Sequence, residues 1–113
     1  METQIRQYGE ISIISIRGSM PIDRAQMFRD ACLKHLMNVP IVFNLEKASF
    51  VGSTGLTPFF EAVEKLAQSR PGSIKFVGAK VEFHRLLSNM ELPGVEFHQS
   101  EMDALKSFNP AIL

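Results

Sequence analysis

Two hydroxyl side chains, Ser53 and Thr54, lie between Gly52 and Gly55, immediately before a strongly amphipathic segment. A serine or threonine in this place is a preferred helix N-cap, because its oxygen accepts a hydrogen bond from a backbone N–H that has no partner within the helix. A hydroxyl displayed at a helix start is also accessible to a protein kinase, and a capping hydroxyl can be phosphorylated. The sequence therefore predicts a helix cap here and leaves a phosphorylation site open at the same residues.

The other side chains that could do chemistry form no recognisable catalytic or metal-binding pattern. The three histidines, His35, His84 and His98, are far apart in sequence and lack the spacing of metal ligands. Cys32 falls on the apolar stripe of a predicted helix, which favours a packing role over a reactive thiol. The glycine-flanked hydroxyls lack the lysine and the spacing of a phosphate-binding loop, and no serine has the glycines of a nucleophile elbow. We therefore expect a chain that uses no metal or cofactor and is not an enzyme.

Nine short segments of alternating type must position these residues. The strand candidates are short, rich in β-branched or apolar residues, and cover 3–7, 11–16, 41–45, 74–77 and 95–97. The helix candidates have apolar residues three and four positions apart and cover 22–37, 56–68, 83–90 and 100–108. The order is β-β-α-β-α-β-α-β-α, in which the first strand is an edge strand of a hairpin. Such alternation predicts a mostly parallel sheet with right-handed crossovers.

Composition narrows the classes of partner and the compartment. The chain has 113 residues, which fits one domain over 1–113, and its 12 Lys and Arg balance its 12 Asp and Glu. A neutral chain lacks the basic excess of most nucleic-acid-binding proteins, so we expect no nucleic-acid partner. One cysteine excludes an internal disulfide and suits a reducing compartment. Neither a signal peptide nor an apolar run of roughly 18 residues is visible, so we expect a cytoplasmic protein without membrane insertion.

The segment around the two hydroxyls resembles the signature of STAS domains, in which a buried strand and a short loop lead into Asp-Ser-Ser/Thr-Gly-Leu at a helix start. Residues 43–56 read FNLEKASFVGSTGL, so 53–56 follow that pattern, and Gly52 stands where the family has its acidic residue. The second half of the chain is similar too, from the strand at 75–78 to Glu-Met-Asp-Ala-Leu at 101–105. The resemblance covers nearly the whole chain.

This resemblance implies an α/β fold, with a mixed, mostly parallel sheet of four to five strands and about four helices mainly on one side. Stand-alone STAS proteins are commonly anti-sigma-factor antagonists. They bind an anti-sigma factor that is also a serine/threonine kinase; this kinase phosphorylates the serine of the motif and ends binding, and a phosphatase reverses the step. On this sequence the phosphorylated residue is Ser53, with Thr54 as the second candidate, and a homodimer is left open. The expected partner contacts are Gly52, Ser53, Thr54, Gly55, Leu56 and Asp23.

Two functional interpretations remain open at this point. In the first, the domain is a protein-binding switch that phosphorylation controls. In the second, it is an accessory or scaffold subunit of a stress-signalling complex or of a lipid-transport ABC system, without a sigma-factor role, because STAS domains resemble components of both. Gly52 bears on the choice, since glycine removes a carboxylate that could orient the serine or contact the partner.

Overall fold

The computed structural model describes residues 2–49, 56–92 and 94–109 of the chain. Within them, strands and helices follow one another in the order that the sequence predicts. The strands are β1 (Glu2–Tyr8), β2 (Ile11–Ser19), β3 (Ile41–Ser49), β4 (Ile74–Val77) and β5 (Glu96–His98). The helices are α1 (Ile22–His35), α2 (Leu56–Ser69), α3 (Val81–Asn89) and α4 (Glu101–Phe108).

The five strands form one sheet, in which the spatial order β1-β2-β3-β4-β5 follows the order along the chain. β1 and β2 form an antiparallel hairpin that closes at the pair Tyr8–Ile11, whereas β2 to β5 run parallel. Parallel neighbours need a crossover connection, and α1, α2 and α3 provide the three that this sheet requires. The predicted mixed, mostly parallel sheet with an N-terminal hairpin is confirmed.

The larger core lies between one face of the sheet and the helices α1, α2 and α3. The strand register places Ile14, Phe43 and Phe76 side by side, and all three are fully buried. The ring centroid of Phe43 is 5.6 Å from that of Phe76, 5.8 Å from that of Phe59 on α2 and 6.4 Å from that of Phe28 on α1. Aromatic pairs at such separations attract each other beyond the gain from burial. Phe43 therefore joins two strands and two helices.

The opposite face of the sheet carries α4, the single described helix on that side. Because side chains alternate along a strand, the residues between those of the larger core point this way. They form a second, smaller core that consists of Ile11, Ile13, Val42, Val77, Ala104 and Leu105. Ser100 caps α4, since its Oγ accepts a hydrogen bond from the Asp103 backbone N at 3.1 Å. Three helices on one face and one on the other confirm the predicted arrangement, mainly on one side.

Cys32 lies within the larger core, at 2% exposure. Burial disfavours the thiolate and raises the pKa of Cys32 to about 12, so the thiol stays protonated at neutral pH. The predicted packing role of this residue is confirmed.

A buried lysine, which the sequence analysis did not predict, joins β4 to β5 and α4. Lys75 is 4% exposed, and its Nζ donates to Glu96 Oε1 and to Ser107 Oγ at 2.7 Å each. Its Nζ also lies 4.5 Å from the centroid of the Phe108 ring. Hydrogen bonds from Lys75, Ser107 and His98 to Glu96 lower the pKa of that carboxyl to about 2. A buried ammonium needs partners of this kind. The cluster of Lys75, Glu96 and Ser107 beneath α4 is here called the polar clasp.

The clasp makes the stability of the protein depend on pH in the acid range. The pKa of Glu96 is lower in the folded protein than the ordinary value of 4.5, so its ionised form stabilises the fold above pH 4.5 and this contribution disappears as the pH falls towards 2. We expect Glu96→Gln to lower the free energy of unfolding by about 1 kcal/mol at pH 7, a modest value because half of the side chain is exposed to solvent screening. Urea denaturation at pH 7 and pH 2.5 checks this.

The difference between Glu96→Gln and the wild type should be smaller at pH 2.5 than at pH 7, because at pH 2.5 the unfolded state has bound a proton that the folded carboxyl, with its lower pKa, largely has not. Glu64→Gln, at an exposed position on α2, is the matched control and should follow the wild type at both pH values. A difference that stayed constant with pH would show that Glu96 acts through packing alone.

Candidate functional site

The parallel strands end at one edge of the sheet, here called the carboxyl edge, which is where ligands and partners commonly bind in open α/β sheets. The ends of β2 and β3 are paired there, with Gly18 beside Ala48 and Ser19 beside Ser49. α1 begins three residues after Ser19, and residues 50–55 connect Ser49 to the first residue of α2. The helix α2 therefore begins directly after the predicted motif in the chain, and α1 begins directly after the end of β2.

Four of the six predicted contact residues, Gly52, Ser53, Thr54 and Gly55, lie outside the described residues. The other two belong to helix starts at the carboxyl edge. Asp23 is exposed in the first turn of α1, where a carboxylate interacts favourably with the helix dipole.

Leu56, the first residue of α2, is half-buried and packs against the larger core. This packing leaves only part of its surface for a partner. Pro58, two residues later, is buried within the first turn of α2, where backbone N–H groups have no partner inside the helix.

The connection between β4 and α3 also belongs to this edge. Gly78 has a φ of +72°, and a Cβ added there would lie 2.8 Å from the Cα of Glu46 on β3. Two residues later, Lys80 donates from Nζ to the backbone oxygen of Ala48 at 3.2 Å. This connection therefore packs against the last residues of β3. It contacts β3 just before the chain continues into residues 50–55.

We expect Gly78→Ala to lower the free energy of unfolding by about 2 kcal/mol, because the new Cβ requires both a left-handed backbone and displacement of Glu46. Gly72→Ala is the matched control. Gly72 has a φ of +82°, but an added Cβ would meet no atom within 4 Å, so its cost should be the backbone term alone, about 1 kcal/mol. Urea denaturation of both variants checks the difference. Equal losses would show that the close approach to Glu46 adds nothing.

A polar cavity of about 370 Å³ lies on the α4 side of β1, β2 and β3. Its lining carries three cations, Arg6, Arg17 and Lys47, and three carboxylates, Glu2, Glu46 and Glu101. Although partial burial opposes ionisation of Glu101, hydrogen bonds from Asn44 and Arg6 lower the pKa of this carboxyl, so it stays charged. The balanced lining gives no positive field of the kind that binds phosphate groups.

The structure gives each of two histidines a local role. The ring of His84 lies with its centroid 3.9 Å from that of Phe97, and His98 Nε2 is 3.0 Å from Glu96 Oε1. Across residues 2–49, 56–92 and 94–109, no three His, Cys, Asp or Glu side chains come close enough together to hold a metal ion. None of the helices in these same ranges has the length and apolar character to cross a bilayer.

Solved structures of other proteins share this fold at low sequence identity. SpoIIAA, the anti-sigma factor antagonist of Bacillus, in its phosphorylated form has a TM-score of 0.71 and 16% identity, with 96% of this chain and 100% of that chain covered. An anti-sigma factor antagonist from Mycobacterium paratuberculosis has a TM-score of 0.68 and 21% identity, with 94% and 92% covered. The murine anion transporter Slc26a9 has a TM-score of 0.64 and 15% identity over 95% of this chain and 19% of the transporter.

A search of curated proteins gives no significant match. The family model of the STAS domain, by contrast, matches residues 2–104. That range includes all five strands and the first four residues of α4. Because the match extends over most of the sequence and the fold agrees with it, the chain belongs to the STAS domain family.

Proposed function

We propose that this protein is a protein-binding switch of the anti-sigma-factor-antagonist type. In this proposal it binds an anti-sigma factor that is also a serine kinase, phosphorylation at Ser53 ends the binding, and a phosphatase restores it. The partner does the catalysis, and this chain contributes a binding surface and a phosphate acceptor. We further propose that it acts in the cytoplasm, as a single domain, without nucleic-acid binding or membrane insertion.

The observation that carries the proposal is the position of the strand and the helix that flank the motif. β3 ends at Ser49 on the carboxyl edge and α2 begins at Leu56, so the motif belongs to the connection between them in the chain. Membership of the STAS family over residues 2–104 supports it, as does the likeness to two anti-sigma factor antagonists. One of those two structures is a phosphorylated form, which shows that this fold accommodates a phosphate in that protein.

The chemistry of α2 is compatible with a phosphate close to its start. A phosphoserine carries about −1.5 to −2 charges at pH 7. The first turn of α2 contains no acidic residue, so a negative charge near it meets the favourable end of the helix dipole without repulsion from that turn. We therefore expect phosphorylation to leave the fold intact and to act at the partner surface, through charge and steric bulk.

The test begins with affinity capture from native lysate, with the wild-type protein and Ser53→Ala as baits and identification by mass spectrometry. The captured anti-sigma factor is then purified and incubated with ATP and this protein, and the phosphorylated residue is mapped. Phosphate on Ser53, and its absence from Ser53→Ala, supports the proposal. Thr54→Ala is the control for the neighbouring hydroxyl. Capture of the kinase without phosphate on either residue would contradict the switch.

A second function is favoured by the likeness to Slc26a9, in which the matching region is 19% of a transporter chain. In this alternative the protein is an accessory or scaffold subunit of a stress-signalling complex or a lipid-transport ABC system, and Ser53 is a helix cap. Gly52 is consistent with it, because the acidic residue of the family motif is missing. The same baits with Ser53→Asp added would distinguish the two, since an accessory subunit should retain its transporter or scaffold partners in all three.

A further inference from the structure

β1 is an edge strand of the sheet, and its outer side is a surface that the proposed function does not use. β1 pairs with β2 through all seven of its residues without a break in register, and no described strand pairs with its other side. All seven residues are exposed. An edge of this kind presents unpaired N–H and C=O groups to any second strand, and β1 contains neither a proline nor a bulge that would block pairing.

Exposed apolar side chains lie on and next to β1, on the α1 side of the sheet. Ile5 pairs with the buried Ile14 across the hairpin, yet it is 58% exposed itself. Met27 on α1 is 66% exposed and lines a groove together with Thr3 and Phe28. A strand added to β1 would cover Ile5 and bring new apolar surface towards Met27.

The charges of β1 are complementary to those of a second β1 strand that runs antiparallel to it. If two β1 strands pair antiparallel about Gln4, Glu2 of each lies opposite Arg6 of the other, and Thr3 lies opposite Ile5 on the other face. Among the described residues Glu2 has no ion-pair partner. Arg6 uses Nη2 for Glu101 and Ser15, which leaves its Nη1 and Nε, within those residues, for a further acceptor.

We propose that β1 is a homodimer interface, at which two copies pair antiparallel about Gln4 and their sheets join into one continuous sheet. A second copy fits better than an unrelated strand, because the complementarity lies within β1 and each Glu2–Arg6 pair occurs twice around a twofold axis. The two faces of the interface have different chemistry. Ion pairs lie on the α4 side, and Ile5 and Met27 lie on the α1 side.

The experiment is a charge exchange between two variants, Glu2→Arg and Arg6→Glu, followed by sedimentation equilibrium. In either variant alone, both cross-strand pairs become like-charged, and we expect the dimer dissociation constant to rise by roughly 10- to 100-fold. In an equimolar mixture every pair is again opposite in charge, so heterodimers should form at the wild-type concentration, and native mass spectrometry would identify them by mass. Glu64→Arg on α2 is the control for a change in net charge.

Thermal denaturation of each variant shows whether it is folded, which matters for Arg6→Glu because Arg6 also contacts Glu101. Hydrogen exchange of the wild type is a second readout, in which alternate β1 amides should gain protection as the concentration rises. The proposal is overturned if the wild type stays monomeric at millimolar concentration. A dimer that both variants form as well as the wild type, or β1 amides without added protection in the dimer, overturns it too.

Discussion

Ser53→Asp should weaken binding of the proposed anti-sigma-factor partner by roughly 30-fold or more, whereas Ser53→Ala should bind nearly as tightly as the wild type. The reason is that a charge buried at an interface without a partner costs about 2–5 kcal/mol, and 1.4 kcal/mol corresponds to a factor of ten in affinity. Alanine removes a hydroxyl and introduces no charge. Isothermal titration calorimetry of the purified pair measures both variants.

Two controls separate the switch from a general effect of charge or folding. Thermal denaturation should give Ser53→Asp and wild type similar midpoints, because the change lies three residues before α2, whose first turn carries no acidic residue. Thr54→Asp introduces the same charge one residue along and should weaken binding less. If Ser53→Asp bound as tightly as wild type and Thr54→Asp did not, Thr54 would be the regulated residue. If both bound normally, the accessory-subunit function would be favoured.

The sequence was sufficient for the order of the elements because each one carries a strong local pattern. α2 has apolar residues spaced three and four apart along its length, and Ile41 to Leu45 form a run that is buried almost throughout. Both patterns reflect which faces of the element are buried. A helix that packs on a sheet with one face shows apolar residues at helical spacing, whereas a strand covered on both faces is apolar nearly throughout. These elements were therefore predicted with the correct type and the correct first residue.

The extension of β3 to Ser49 was missed, and so was the extension of β2 to Ser19. Glu46 and Lys47 are polar and exposed, so their sequence gives no strand signal. They are strand residues because the two strands continue to pair beyond the core, with Arg17 beside Lys47. Backbone pairing between distant segments produces no periodic pattern in the sequence of either segment. The lengths of β2 and β3 at the carboxyl edge could therefore not be predicted from sequence.

The polar clasp was missed for a related reason. Lys75 stands in an otherwise apolar strand, which is a weak signal that a partner must exist. The partners, Glu96 and Ser107, lie 21 and 32 residues further along the chain, and only the packing of β5 and α4 brings them to Nζ. The motif at residues 52–55 presents the opposite case, because the family resemblance identifies it from sequence and the described residues include only the strand before it and the helix after it.

Phe43→Ala should be among the most destabilising single substitutions in the core, with a loss of about 3–5 kcal/mol in the free energy of unfolding. Phe43 is fully buried, and its ring contacts rings from α1, α2 and β4, so alanine would leave a cavity between elements that cannot all move inwards. A domain of this size has about 5–15 kcal/mol of stability in total, so about a fifth or more would be lost. Urea denaturation with a constant m-value measures the loss.

Phe43→Leu and Met27→Ala provide the comparison that assigns this loss to the aromatic cluster. Leucine keeps most of the buried volume and should cost about 1–2 kcal/mol, while Met27, at 66% exposure, should cost less than about 0.5 kcal/mol. The site depends on this core as well, because Phe43 lies on β3, whose end leads into residues 50–55, and Phe59 lies on α2, which begins after them. Phe43→Ala should therefore also weaken partner binding, and Phe43→Leu should largely preserve it. Full binding by a strongly destabilised Phe43→Ala would show that the motif holds its conformation independently of the strand and helix that flank it.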